Sequence, residues 1–327
     1  RASERWGRVF QRFCSALAQK PMVRAFVTGG NRGLGLECVK VCLEHGCELV
    51  FLGCRNLQQG RVLACELAST YGERVEAVEL DVTDAASIAR AAAAVATSNA
   101  PNYAGHNEIE AKTVDVFVNN AGVLLENYQD GLRDEAARRT LAVNVYGAID
   151  ATKAFLPLLG PGAKVLNVSS SVGTRTHGLL TTSDRAALEA ADLDEAELRR
   201  VAASFVAKFM DPGHAYCRMA TPAYGASKCL LNAYTRLLAR DRPDLFVNAC
   251  SPGFCKTDIC GPKGSMGGRE PKSAALGATV FSAALFGDLG AGRTATFFKE
   301  GSKPGTPLSE ATSTIEAWVA EPQPEAG

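Results

Sequence analysis

Residues 27–35, Val27-Thr28-Gly29-Gly30-Asn31-Arg32-Gly33-Leu34-Gly35, decide how this chain is read. A short apolar run over 23–27 enters a glycine-rich turn, and the turn leaves as a helix starting near Gly33. Gly29 permits the tight turn, Gly33 lets a phosphate approach the backbone, and Gly35 lets helix and strand pack closely. Such a turn places backbone amides and a helix N-terminus where a pyrophosphate can sit. The same spacing also simply joins strands to helices in other proteins, so the rest of the chain must arbitrate.

Outward from that turn, apolar runs at 23–27, 48–52, 75–79, 114–118, 163–168, 245–249 and 295–298 alternate with helical stretches starting near Gly33, Leu57, Ala85, Leu132, Ala226 and Pro271. This order predicts an α/β, doubly wound, seven-stranded parallel sheet of the Rossmann type, as a single domain over 22–300. With 327 residues, 46% of them hydrophobic and 21% charged, the chain can bury a large core. Thirty-five basic residues balance 35 acidic ones, so no broad footprint for nucleic acid or an anionic membrane is expected. No apolar run approaches the roughly 18 residues of a membrane span. Eleven cysteines are scattered without a C-x-x-C pair, which reads as reduced thiols in the cytoplasm, and the four histidines do not cluster as metal ligands.

The second strand ends in Phe51-Leu52-Gly53-Cys54-Arg55, where a carboxylate would select NAD and a cation would accept the extra phosphate of NADP. Arg55, with Arg32 inside the glycine turn, favours NADP(H), since guanidinium forks match phosphate geometry. The alternative is that both arginines are ordinary solvated loop residues. Leu80-Asp81-Val82 closes the third strand. Asp81 there either takes the adenine amino group or caps the following helix.

Tyr224-Gly225-Ala226-Ser227-Lys228 sets a phenol and an ammonium four residues apart, on one side of a helix. An ammonium beside a phenol favours the phenolate and turns a weak acid into a usable proton donor. The pair has company, in Asn119-Asn120-Ala121-Gly122, Asn144, Ser169-Ser170 and Ser251-Pro252-Gly253. With these in order, the chain resembles the short-chain dehydrogenase/reductase family over about 22–300.

The resemblance implies an enzyme with Tyr224 as the acid that protonates a carbonyl oxygen while hydride leaves a nicotinamide for the carbon. Register selects Ser170, rather than Ser169 or Ser171, to hydrogen-bond that oxygen. Lys228 would hold the nicotinamide ribose and lower the pKa of Tyr224, and Asn144 would anchor a water that refills the proton through Lys228. Gly29, Asn31, Arg32, Gly33, Leu34, Gly35, Arg55, Asp81 and Val82 would meet the cofactor, with Asn120, Ala121 and Gly122 on its adenosine side. Pro252, Gly253 and Thr257 would meet the nicotinamide end, together with Tyr224 and Lys228.

Between Ser170 and Tyr224 the chain is far longer than in most of the family. This insertion, about 173–221, has a core over 192–210 that reads as a helix, acidic at its start, basic later, and with an apolar stripe of Leu193, Leu198, Val201, Phe205 and Phe209. It resembles the monomeric carbonyl-reductase branch, whose inserted helices cover the subunit-pairing surface, so a monomer is expected. The alternative is a substrate lid with pairing retained. Ser171, Val172 and Ser251 depart from that branch's pocket wall and leave the carbonyl substrate open.

Residues 1–21 form a basic amphipathic extension, read as a transit-peptide remnant, a membrane-surface helix, a docked helix or a flexible leader. Residues 97–113 read as an extra loop and 301–327 as a mobile tail. The expected activity is NADPH-dependent reduction of a ketone, aldehyde or quinone. The rival readings are an oxidative hydroxysteroid or secondary-alcohol dehydrogenase, and a non-catalytic NADP-binding regulator.

Overall fold

The computed structural model describes residues 23–98, 114–125, 133–211, 213–214, 216, 221–260, 270–287, 294–299 and the backbone of 313–314. The expected seven parallel strands are all present: β1 Arg24–Thr28, β2 Leu49–Cys54, β3 Val75–Glu79, β4 Val116–Asn119, β5 Lys164–Val168, β6 Phe246–Ser251 and β7 Thr296–Lys299. The sheet order is β3-β2-β1-β4-β5-β6-β7, followed by an eighth strand, β8 Ser313–Thr314, antiparallel to β7. This two-residue addition lies in the expected tail and pairs part of an edge that β7 would otherwise expose. The order reverses at β1, and the crevice of such a sheet opens at the carboxyl ends of β1 and β4.

The helices are α1 Gly33–Glu44, α2 Leu57–Tyr71, α3 Ala85–Thr97, α4 Arg133–Leu141, α5 Ala148–Phe155, α6 Ser171–Gly178, α7 Thr182–Glu189, α8 Glu195–Met210, α9 Pro222–Asp241 and α10 Ala274–Leu285. Every residue of β1 is buried, and its alternation feeds two cores. Ala25 and Val27 join α1 and α10 on one face. Phe26 joins the other, where its ring lies 4.4 Å from Phe155 and 5.7 Å from Phe117. Side-chain caps start most helices: Asn56 for α2, Asp84 for α3, Ser170 for α6, Thr181 for α7, Asp194 for α8 and Ser273 for α10. At α1 the N-cap is Arg32, which makes no such bond.

Two boundaries differ from expectation in ways that matter. α9 begins at Pro222 rather than near Ala226, because Pro is favoured at the first helical position, so Tyr224 already lies in its first turn. The insertion contains α6 and α7 besides the expected helix α8, whose stripe of Leu198, Val201, Phe205 and Phe209 is buried. α8 packs on α9 and α4. Residues 1–22 and 99–113 lie outside the described residues, as does most of 301–327.

Candidate active site

Glycine builds the floor of the crevice. Gly29 and Gly33 adopt φ of 64° and 53°, which side chains rarely tolerate. A methyl group on Gly35 would lie 2.5 Å from Asn120 Nδ2 and closer still to Gly29 O, so helix and turn meet only because Gly35 has none. Asn120 Nδ2 donates to Thr28 O at 2.9 Å and Gly29 O at 3.1 Å. The amides of Asn120 and Ala121 both donate to Thr28 Oγ1 at 2.9 Å. Asn120 therefore braces the turn as well as flanking the crevice. The first-turn amides of α1 have no side-chain cap above them, which suits an anion.

Two cations stand at this turn. Arg55 directly follows β2 and is exposed. It faces Asp81, whose carboxyl is held below its usual value: burial opposes this, but the Thr83 hydroxyl and amide and the Arg55 charge outweigh it. Asp81 Oδ1 accepts from Thr83 N at 2.9 Å and Thr83 Oγ1 at 2.7 Å, while Asp84 caps α3. The capping alternative for Asp81 is thus excluded, because the cap lies three residues on. Val82 is buried, its carbonyl against Gly147. Arg32 Nη1 reaches Asp258 Oδ2 at 2.7 Å, a pairing between residues 226 positions apart that sequence spacing does not signal.

The Tyr–Lys pair lies over the other half of the crevice. Lys228 is 4% exposed. Its Nζ donates to Val168 O at 2.8 Å and lies 5.6 Å from the Tyr224 ring centroid. Burial pushes the ammonium down to about 8, opposed by Cys250. The open side of Gly122 looks onto both Asn144 Oδ1 and Lys228 Nζ, so these three converge. Asn144 sits in a π-helical turn, Ala142–Gly147, between α4 and α5. Such bulges gather at functional sites. Its Oδ1 accepts from Val123 N at 2.8 Å, and its Nδ2 donates to Val123 O at 2.9 Å and Ser227 Oγ at 3.0 Å.

The three serines differ. Ser169 is buried and its Oγ donates to Lys228 O at 3.2 Å. Ser170 Oγ accepts from Val172 N at 3.2 Å as the cap of α6, which leaves its hydroxyl proton available. Ser171 is exposed, and its amide donates to Ser251 Oγ at 3.1 Å, a tie from β6 to α6 that the sequence did not reveal. α6 lies close on α9 because Gly173 faces the Lys228 and Cys229 backbone and Gly225 faces Thr176, each with no room for a methyl group. The loop after β6 comes to the glycine turn: the open side of Gly33 lies 3.2 Å from Thr257 Cγ2, past Pro252 and a Gly253 with φ of 80°. Among the described residues no group of acidic, histidine or cysteine side chains could hold a metal, and no helix is long and apolar enough to cross a membrane.

The family described as short chain dehydrogenase matches residues 24–182. A short-chain dehydrogenase/reductase from Saponaria officinalis is 33% identical over 273 residues, covering 75% of this chain and 85% of that one. Carbonyl reductase [NADPH] 1 of Mus musculus is 29% identical over 253 residues, covering 75% and 86%. The structure of salutaridine reductase from Papaver somniferum superposes with a TM-score of 0.68 at 27% identity, covering 85% of this chain and all of that one. The chain belongs to the short-chain dehydrogenase/reductase family and is an oxidoreductase.

Proposed function

We propose that the protein is an NADPH-dependent reductase of ketone, aldehyde or quinone carbonyls with Tyr224 as general acid. The observation that carries this reading is the desolvated Lys228 ammonium beside the Tyr224 ring, sharing one pocket with Asn144 and Gly122. The crevice fits the dinucleotide: a glycine turn in left-handed conformation, uncapped amides at α1, and Arg55 at the end of β2. Asn31 and Leu34 flank that turn. Mouse carbonyl reductase, a relative over most of the chain, carries NADPH in its name.

When bound, NADPH supplies the hydride. Tyr224 gives its phenolic proton to the carbonyl oxygen as charge develops there. The Ser170 hydroxyl donates to the same oxygen; its own oxygen already accepts the Val172 amide, which fixes its direction. Lys228 would hold the ribose hydroxyls of the bound dinucleotide, and its ammonium passes a proton back to Tyr224. Asn144 orders the route by which that proton is replaced, its side chain fixing Val123 and Ser227 around Lys228. Pro252, Gly253 and Thr257 close the nicotinamide end.

In this reading the enzyme is monomeric, because α8 lies across α9 and α4 with its apolar stripe buried. Glu195 and Arg199 tie α8 to α5, with Lys153 Nζ to Glu195 Oε2 at 3.0 Å and Arg199 Nη2 to Asp150 Oδ1 at 2.5 Å. Its described cysteines are free thiols, as suits the cytoplasm. The test is NADPH consumption against a panel of aldehydes, quinones, cyclic ketones and steroids, with light scattering in parallel. Reduction of at least one class with NADPH preferred, by a particle of one subunit mass, is expected. Catalysis only with NADH, or a stable dimer, contradicts the corresponding part.

A further inference from the structure

Asn144 owes its place to an irregular turn. The π-helical turn Ala142–Gly147 joins α4 to α5, and a π-turn is a rare geometry that persists only where its surroundings support it. If the extra residue slid along the helix by one position, the side chains it passed would rotate by about 100°. Asn144 would then leave the Val123 backbone and the Ser227 hydroxyl, which it holds at 2.8–3.0 Å.

Two sides of this turn are held by the crevice. Asn144 anchors one to Val123 and Ser227, and Gly147 lies so close to the Val82 carbonyl that a methyl group there would come within 2.7 Å of it. The third side faces the insertion. Arg199, on α8, sets its guanidinium 5.1 Å from the ring centroid of Tyr146, two residues after Asn144. The same guanidinium bonds Asp150 through Nη2, while its Nε donates to Glu195 Oε1 at 2.9 Å.

Tyr146 and Asp150 are four positions apart, the spacing of neighbours on one face of an α-helix. Tyr146 belongs to the π-turn and Asp150 to the first turn of α5. One guanidinium therefore grips both sides of the point where α-helical register resumes, and a slide of the turn through that junction would break one of its two contacts. The grip is sheltered, with the Arg199 side chain 34% exposed and Tyr146 half-buried. Burial raises the Tyr146 phenol, opposed by the Arg199 and Arg138 charges that face it.

We propose that Arg199 is a positioning residue for the reaction: by lying over Tyr146 and bonding Asp150, it locks the π-helical turn in the register that holds Asn144 beside Lys228. The insertion thereby serves proton supply as well as covering α9 and α4. The inference rests on the proposed role of Asn144 in that supply.

The test is steady-state kinetics with NADPH and the carbonyl compound that gives the highest rate in the panel above. The full chain is compared with Arg199→Gln, Arg199→Lys, Tyr146→Phe, Tyr146→Leu, Asn144→Ala and the double variant Asn144→Ala/Arg199→Gln. Circular dichroism establishes that each is folded at the assay temperature. Arg199→Gln and Tyr146→Leu are expected to lower kcat by about three- to tenfold, the size of a partly desolvated cation–π contact with a charged hydrogen bond, and to leave both KM values within about twofold. Arg199→Lys keeps a cation over the ring and Tyr146→Phe keeps the ring, so each retains at least about half of the wild-type kcat. Added to Asn144→Ala, Arg199→Gln lowers kcat by no more than about 1.5-fold, because the two act through one group.

Wild-type turnover in Arg199→Gln, equal losses in Tyr146→Phe and Tyr146→Leu, or losses that multiply in the double variant overturn the lock while leaving the role of Asn144 intact. A wild type that reduces no carbonyl, or an Asn144→Ala variant with wild-type turnover, defeats the underlying reading and the lock with it.

Discussion

Two buried charges, one in the crevice and one in the insertion, are treated in opposite ways. Asp184, on α7, is 6% exposed and accepts three hydrogen bonds: from Lys208 Nζ at 2.5 Å, Thr181 Oγ1 at 2.9 Å and the Tyr216 hydroxyl at 2.9 Å. Burial opposes ionisation there, but these partners hold its carboxyl below the usual range, while the Tyr216 hydroxyl is pushed up to about 12. Lys228 is equally buried but has a single carbonyl partner and no anion, so its ammonium falls to about 8. The insertion uses its charge as a rivet with every partner present. The crevice keeps its charge under-compensated, which is destabilising and leaves the ammonium free to act on Tyr224 and a ribose.

Lys228→Met breaks this comparison most sharply. Turnover should fall by at least about two orders of magnitude, while stability to urea at pH 7 rises by about 2 kcal/mol. The drop of the Lys228 value from 10.5 to about 8 is equivalent to about 3 kcal/mol, reduced by the lost bond to Val168 O. Because the folded value lies below the unfolded one, the wild type carries this cost in full below about pH 8 and sheds it as pH rises towards 10.5. The gap between the two proteins should therefore close over that window. A variant that is less stable at pH 7, or a gap that does not close, contradicts the account of Lys228.

Asp184→Asn is expected to do the reverse, costing about 2 kcal/mol of stability while NADPH turnover of the folded enzyme stays within about twofold. Since the folded carboxyl value is lowered, its contribution is present above the ordinary carboxylate range and is lost as pH falls through the folded value. The wild type should thus lose stability in acid more steeply than Asp184→Asn, as chemical denaturation at several pH values would show.

The serines give the smallest effects. Ser170→Ala should lower turnover at least about tenfold. Ser169→Ala should cost about 1 kcal/mol through its bond to Lys228 O and change turnover little. Reversed roles in steady-state kinetics would move the catalytic register by one residue.

The same contrast governs what was legible in the sequence. The crevice half is built from contiguous signals, an apolar run, a glycine turn, a helix, repeated with strand-length spacing, and all seven parallel strands follow from it. The signals fade where structure depends on partners distant in the chain. α6 has two glycines among its eight residues, a weak local helix former, and it is held because one of them, Gly173, and Gly225 of α9 let the two helices lie close together. The Asp184 hub joins residues 24 and 32 positions apart, and Arg32 meets Asp258 only through the fold. The π-helical turn at Asn144 carries no composition cue of its own. The start of α9 is legible in Pro222, a helix-opening residue four positions before the expected start at Ala226.

The central claim is that Tyr224 delivers the proton in a site where Lys228 holds the dinucleotide. Single-turnover reduction by the enzyme with NADPH already bound, wild type against Tyr224→Phe, tests it most directly. The account predicts nearly unchanged NADPH affinity and a hydride-transfer rate at least about one hundredfold lower in the variant. A variant that reduces the carbonyl at close to the wild-type rate would contradict it.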